Sequence, residues 1–474
     1  MSNVWSDLIL AHAEIITPIR VTLAALVTIH VLLHKREVAS AVGWIGLSWF
    51  SPIAGAAAYA VLGVNRVQRR ARRLRQGDAL ASPRLPRLPP GADDHLDPLA
   101  RGVGRITGCP LLVAEAIETY QNGDEAYPPM LAAIDGARVS IGLSSYIFRN
   151  DAWGARFIDA LARAHARGVA VRVLIDGVGG NWITSGAYRG LRRRGVPAAR
   201  FLRSPFPWRM PFLNLRSHKK ILVIDGAIAF TGGINIAAEN VLAELPAHPV
   251  QDTHFRIQGS VVRQLVEAFV QDWSFTVEED LGGHAWFPPL PEQGPANARV
   301  IDSGPDEDLE KIEYAILQAV ACARTRVTVM TPYFLPDERL VSALSLAAIR
   351  GVAVDIIVPE ISDHRIVTWA MRANSPPLLR NGVRIWLSRP PFRHSKVALV
   401  DDEWVLIGSA NWDIRSFRLN FELCMELYDR PLATTLTTML RGCMTRPLTL
   451  AALNARPMPQ RLRDAAARLA LPYL

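Results

Sequence analysis

The chain has 474 residues, half of them hydrophobic, with a mean hydropathy of +0.13 and a net charge of +9. That length excludes a single small domain, and the hydropathy is high for a purely soluble enzyme. The positive balance points to an anionic partner, nucleic acid or a membrane surface, and the four scattered cysteines, Cys109, Cys322, Cys424 and Cys443, read as reduced because they lack the paired spacing of a zinc site or a disulfide frame.

The first element is an apolar segment, residues 15–33, interrupted by Pro18, Arg20 and His30. After the charged turn His34-Lys35-Arg36-Glu37 comes a run of 27 residues without a charge, 38–64. That run is long enough to span a bilayer with some tilt, and Pro52 and the glycines are tolerated in such a helix. The pattern predicts a transmembrane helical hairpin. The alternative for the first segment, given its Arg and Pro, is an interfacial or signal-like piece, although no small-residue cleavage site follows it. Six arginines between Arg66 and Arg75 come next. Such a cluster stays on the cytoplasmic side, and it also suits anionic headgroups, at about 1 kcal/mol per residue near the surface. Residues 80–98, rich in Pro, Arg and Asp, read as a linker.

The rest of the chain is a repeat. "SSYIFRNDAWGARFIDALARAHARGVAVRVLID" (144–176) is echoed by "TPYFLPDERLVSALSLAAIRGVAVDIIVPE" (331–360), with Tyr146 matching Tyr333 and "RGVAV" starting at Arg167 and again at Arg350. In each copy a β-rich run leads into an Ala/Leu-rich helix, Gly168 or Gly351 ends it, and a buried strand follows. A second glycine turn comes next, "RRRGV" or "LRNGV". This alternation predicts a mixed, largely parallel sheet covered by helices in each half. The joint between the halves falls in "FPPLPEQGPAN" (287–297).

After the second turn each copy carries one short pattern. "SHKKILVID" holds His218, Lys220 and Asp225, and "RHSKVALVD" holds His394, Lys396 and Asp401 at the same spacing. "GGIN" ends at Asn235 and "GSAN" at Asn411, each ten residues past its Asp. On a strand, side chains two apart share a face, so each His and Lys would project together. Two such sets predict a pseudo-twofold site between the halves, each supplying half the chemistry.

The doubled His-x-Lys-x4-Asp-x6-Gly-(Gly/Ser)-x-Asn pattern resembles the phospholipase D superfamily. Together with "YAVLGVNR", "NLRSHKK", "TGGINIAAEN" and "GSANWDIRSFRLNFEL", it resembles the bacterial cardiolipin synthases of that superfamily over nearly the whole chain. The resemblance implies an α/β fold with two pseudo-twofold-related mixed-sheet sandwich domains behind the membrane hairpin. It implies no metal and no cofactor, and transfer of a phosphatidyl group from one phosphatidylglycerol to another at an anionic membrane surface. On this basis the chain divides into a hairpin (1–65), a basic linker (66–105), a first half (106–285), an inter-half linker (286–300), a second half (301–450) and a tail (451–474). The implied catalytic set is His218, Lys220, Asp225, His394, Lys396 and Asp401. Asn235, Asn411, Ser409 and Gly233 lie in its phosphate-binding part, and Asp252 and Glu422 hold the imidazoles from behind.

The residue chemistry fits that assignment. A phosphodiester needs charge offset on its non-bridging oxygens, which Lys220 and Lys396 supply, with Asn235 and Asn411 as neutral donors. One imidazole attacks phosphorus and the other protonates the leaving glycerol. The family pattern favours His218 as nucleophile, though the two copies are nearly symmetric. At strand ends, Asp225 and Asp401 fit loop fixing better than substrate contact. Gly233 standing where the second copy has Ser409 suggests that the halves bind phosphate unequally. Tyr146 and Tyr333 are pocket walls or core aromatics, and the aromatic stretch 204–216 is a membrane-dipping loop or a packed lid. The C-terminal "QRLRDAAARLALPYL" reads as an amphipathic helix that lies on the membrane or docks on the catalytic unit. Three activities remain open: transfer to a lipid alcohol, hydrolysis to phosphatidic acid, and membrane-anchored nuclease action. The apolar hairpin favours lipid over nucleic acid, which would want a basic groove with stacking aromatics. The expected location is the bacterial inner membrane, with two N-terminal spans and cytoplasmic catalytic halves.

Overall fold

The computed structural model describes residues 2–35, 38–63, 94–179, 185–202, 215–305 and 308–471. The arginine cluster at 66–75, most of the proline-rich stretch and the aromatic segment up to residue 214 lie outside them. The N-terminal unit begins with one long helix, Ser2–His34, of which Ile16–His34 is long and apolar enough to cross a membrane. The second apolar run departs from the expected single span. It forms Val38–Phe50 and Pro52–Ala58, then one wider turn over Tyr59–Gly63. The break sits at Ser51, whose φ of −139° and ψ of 78° are not helical, because a residue before proline is pushed out of the helical region. Val27 and Val31 of the long helix pack with Trp44 and Tyr59. Leu26, Ile29, Leu33, Val42, Trp49 and Phe50 are left exposed, an apolar exterior of the kind that marks a membrane or partner surface.

The catalytic unit carries two large sheets. The first orders Ala116–Gln121, Thr253–Gln258, Ile228–Gly232, Ile221–Ile224, Ser140–Ser145, Ala170–Asp176 and Ala198–Phe201. The second repeats that plan with Asn420–Tyr428, Trp404–Gly408, Val397–Val400, Arg326–Met330, Ala353–Pro359 and Arg384–Ser388. Ala296–Ser303 and Leu112–Ala114 extend it at one edge and Arg446–Leu448 at the other. Both sheets are mixed, as expected, but mostly antiparallel rather than largely parallel. Along the main path of each sheet, parallel pairing is confined to the strands joined through helices, such as Ser140–Ser145 with Ala170–Asp176 and Arg326–Met330 with Ala353–Pro359. The strands after each His-x-Lys return through three-residue turns, which only antiparallel neighbours can share.

The crossover helices start and stop where their sequences dictate. Asp151 caps Ala152–Ala166 by accepting the Gly154 amide at 2.8 Å, and Asp337 caps Glu338–Ile349 through the Leu340 amide at 3.0 Å. Gly168 and Gly351, at φ 91° and 92°, take the left-handed conformation that ends each helix.

Two domain boundaries move. Asp97–Thr107, expected as linker, is a helix that buries Leu99, Ala100 and Val103 in one cluster with Ile301, Ile312 and Ile316. Burial of a Leu or Val of this kind stabilises by roughly 1.5–3 kcal/mol. Leu112–Ala114 then pairs with Ala296–Ser303, so the helix joins the core of the second half and this strand its sheet, and neither belongs to a linker or the first half. The strand Ala296–Ser303 also shortens the expected inter-half joint, which gives way to sheet at residue 296.

Candidate active site

The two His-x-Lys tripeptides do not lie within their strands. His218–Lys220 follow the two-residue strand Arg216–Ser217 and precede Ile221–Ile224; His394–Lys396 follow Phe392–Arg393 and precede Val397–Val400. Each short lead-in pairs with the opposite half. Ser217 is in register with Phe421, and Arg393 with Gln251. The ladder continues one bond further: the His218 amide donates to Phe421 O at 2.8 Å, and the His394 amide to Gln251 O at 2.7 Å. The residue after each acceptor is the acid expected behind an imidazole, Glu422 or Asp252. The backbone therefore delivers each histidine to the other half's carboxylate. His218 Nδ1 lies 3.2 Å from Glu422 Oε2 and 3.1 Å from Ser409 O. His394 Nδ1 lies 2.8 Å from Asp252 Oδ2.

With both Nδ1 atoms engaged by carboxylates, Nε2 is the nitrogen available for chemistry on each ring, that of His394 with Lys396 Nζ 3.0 Å away. The ring centres stand 6.4 Å apart at 83°, spacing that suits one tetrahedral phosphorus in near-attack contact with both. Lys220 Nζ donates to His218 O at 2.7 Å. Lys396 Nζ lies against the His394 ring, 2.7 Å from Nδ1 and 3.0 Å from Nε2. Tyr146 packs edge-on against His218 at 4.7 Å and Tyr333 against His394 at 6.5 Å, so both tyrosines wall the site. Asn235 Oδ1 accepts the Ile147 amide at 3.2 Å; Asn411 Oδ1 is buried with no hydrogen-bond partner among the described residues.

Ser409 and Gly233 matter through the acids. The Ser409 hydroxyl donates to Glu422 Oε2 at 2.5 Å. At the equivalent position in the first half, a Cβ on Gly233 would overlap the Asp252 carboxylate. The sequence difference thus pairs Ser with the longer acid and Gly with the shorter one, which sits directly over the glycine.

Asp225 and Asp401, counted with the catalytic set in the sequence, act on backbone. Each begins a tight turn at positive φ, 51° and 55°, which Asp tolerates better than most residues. Asp225 Oδ1 accepts the Val139 and Ser140 amides at 2.7 and 2.9 Å, and Asp401 accepts the Arg324, Thr325 and Arg326 amides at 2.8–2.9 Å. They tie the catalytic hairpin to the start of the neighbouring strand.

Several supporting residues carried no motif signal. Buried Asp176 accepts the Ser217 amide at 2.8 Å, just before His218. Arg216 Nη1 donates to the Tyr146 hydroxyl at 3.0 Å, and the Tyr333 hydroxyl donates to Asp363 at 2.8 Å. The two copies differ at these points, so internal repetition could not reveal them.

Burial, with Lys220 and Lys396 close by, pushes the His218 pKa well below its ordinary value. His394 is also lowered, by burial and Lys396, while its bond to Asp252 works in the opposite direction. Burial raises Glu422 to about 7. Asp252, despite burial, is held below the usual carboxylate range by Lys396 and His394. Burial and mutual repulsion bring Lys220 down to about 7, and burial brings Lys396 to about 8. An anion between the two ammonium groups would hold their protons. We therefore expect kcat/KM, which reports the free enzyme, to fall as pH rises through 7–8 while the lysines lose charge. The kcat profile should hold to higher pH; coincident alkaline limbs would remove the lysines from phosphate binding.

A family model described as cardiolipin synthase, phospholipase D-like domain, matches residues 130–273 and 316–444, the two segments that hold the crossed histidines. The chain belongs to that family. It is 34% identical over 443 residues to a cardiolipin synthase of Geobacillus kaustophilus, covering 90% of this chain and 86% of the relative. It is 32% identical over 491 residues to a cardiolipin synthase of Geobacillus thermodenitrificans, covering 99% and 95%. Among solved structures, the phosphatidylserine synthase of Haemophilus influenzae superposes with a TM-score of 0.61 at 15% identity, covering 78% of this chain and 99% of that one. That likeness is one of fold. The cardiolipin synthase family membership rests on the sequence matches.

Proposed function

We propose that this protein makes cardiolipin and glycerol from two phosphatidylglycerol molecules. The observation that carries the reading is the pair of facing imidazoles, each held by the other half's carboxylate and flanked by a buried lysine. His218 Nε2 attacks the phosphorus of the first lipid. The P–O bond to the headgroup glycerol breaks, and His394 gives that oxygen its proton. The phosphatidyl group now rests on His218. The terminal hydroxyl of the second lipid gives its proton to His394 and attacks phosphorus, and the P–N bond breaks to release cardiolipin. Lys220, Lys396, Asn235 and Asn411 hold the phosphoryl oxygens, whose charge the ammonium groups offset without a metal. Activity should accordingly survive exhaustive chelation; loss restored by a divalent ion would contradict this scheme.

Vesicles of labelled phosphatidylglycerol, incubated with the purified full chain, test the reaction. Cardiolipin and glycerol in equal amounts support it. Phosphatidic acid alone would make the protein a hydrolase, and no turnover of lipid would reopen nucleic acid.

We place the enzyme at the bacterial inner membrane, held by two N-terminal segments with the arginines at 66–75 and the catalytic halves in the cytoplasm. The apolar exterior of residues 16–63 supports this. Deleting residues 1–64 should move most of the protein from the membrane to the soluble fraction. A truncation still resistant to carbonate extraction would shift the anchor elsewhere.

A further inference from the structure

One sizeable cavity is not lined by the catalytic residues. That cavity, about 510 Å³, lies beyond the far edge of the second sheet. Its walls are the helix Arg365–Asn374, the strands Arg384–Ser388 and Arg446–Leu448, and the C-terminal helix Met458–Arg468. Its volume is within the ordinary range for a ligand site. Five arginines enter it: Arg365, Arg372, Arg446, Arg456 and Arg463. Two carboxylates answer them. Glu360 pairs with Arg446, and Asp464 with Arg456 and Arg463. Arg365 and Arg372 have no ion-pair partner among the described residues. Burial, with Arg456, Arg463 and Arg446 nearby, lowers the Arg372 pKa, against the opposing pull of Asp464. The remaining wall is partly apolar, with Trp369 under the Arg463 guanidinium at 4.2 Å, Leu387, Leu448 and Leu453, and is completed by Thr368 and Gln460.

The C-terminal helix adds a second, independent feature. It docks on the catalytic unit through Arg463, Asp464 and Ala467. Its other face keeps Met458 and Leu462 exposed at 63% each, with Leu469 just past its end at 79%. At 100° per residue these three fall within one narrow arc. An apolar stripe flanked by exposed cations, here Arg461 and Arg468, is the arrangement of an interfacial helix on an anionic bilayer.

We propose that this cavity is a second phospholipid site, outside the catalytic pair, that takes the phosphate of an anionic phospholipid from the membrane on which the C-terminal helix rests. Arg365 and Arg372 are the guanidiniums left to bind the phosphate oxygens. The apolar wall takes the glycerol and the first methylenes of the chains. Glu360, Ile361 and Ser362 form the rim, and the next residue, Asp363, holds the Tyr333 hydroxyl, so the rim is one residue from a wall of the catalytic site.

The test uses the full chain in phosphatidylcholine vesicles doped with phosphatidylglycerol carrying a photoreactive group on an acyl chain. Cross-links are mapped by peptide. We expect adducts on the segments 361–372 and 458–469 that fall at least fivefold in the Arg365→Gln/Arg372→Gln variant while active-site adducts persist. Neither substitution breaks an ion pair among the described residues. Photoreactive phosphatidylcholine should label these segments weakly in both proteins. Absence of adducts there, or equal labelling by the two lipids, would overturn the proposal. Displacement of the adducts by millimolar inorganic phosphate would assign the cavity to free phosphate and overturn it as a lipid site.

Discussion

His218→Ala is expected to end the reaction at its first step, and His394→Ala only where a proton must move. On phosphatidylglycerol, losing His394 should cost about 10²–10⁴-fold, the usual worth of general acid–base catalysis. His218→Ala should leave no turnover above background, because no phosphatidyl-enzyme can form. An activated phosphodiester with a nitrophenolate leaving group separates the roles, since that group departs without a proton. With it, the His394→Ala protein should release one equivalent of nitrophenolate and retain a phosphatidyl adduct on His218, visible by mass. The His218→Ala protein should release none. The electrostatics favour this order. His218 is kept neutral, as a nucleophile must be, and faces a carboxyl raised to about 7. The carboxylate of Asp252 is held ionised and can support an imidazolium at His394. An adduct on His394 in the His218→Ala protein would reverse the assignment.

The motifs carried the chemistry because each His, Lys and Asn sits in a short, repeated string that needs no long-range information. The same locality explains what the sequence hid. Asp252 and Glu422 stood out as acids, but nothing in their spacing said that each serves the histidine of the opposite half. That follows from the lead-ins Arg216–Ser217 and Phe392–Arg393 joining foreign strands. Gly233 against Ser409 suggested unequal phosphate binding; in the structure the difference matches the length of the acid beside it. Composition marked residues 80–98 as linker, and the Leu99/Val103 spacing that builds the adjoining helix is too short to outweigh it. Hydropathy summed residues 38–64 into one span, since a sum of apolar side chains does not register that Ser51 before Pro52 cannot continue a helix.

The crossed arrangement also predicts that the two acids are not equivalent. Asp252→Asn should reduce kcat/KM by about 10³–10⁴-fold, the scale seen when an acid that fixes an imidazole tautomer is replaced by its amide. His394 Nδ1 has Asp252 as its carboxylate, and beside it otherwise stands the cationic Lys396 at 2.7 Å. An amide there can donate to Nδ1, turning the proton to Nε2 and leaving no charge to support the imidazolium. Glu422→Gln should cost far less, on the order of 10-fold to 10²-fold. His218 Nδ1 keeps the Ser409 carbonyl at 3.1 Å, which holds the same tautomer without Glu422. Initial rates of cardiolipin formation for the two variants, each checked for an unchanged thermal unfolding midpoint, decide the matter. Equal losses would mean that both carboxylates act through charge alone and that the Ser409 carbonyl does not fix His218. A larger loss at Glu422 would place the proton-carrying imidazolium on His218 and exchange the two histidines' roles. The predicted order, Asp252 well above Glu422, requires that one histidine be held by charge and the other largely by a backbone carbonyl, as the unequal acids and their Gly and Ser neighbours are built to do.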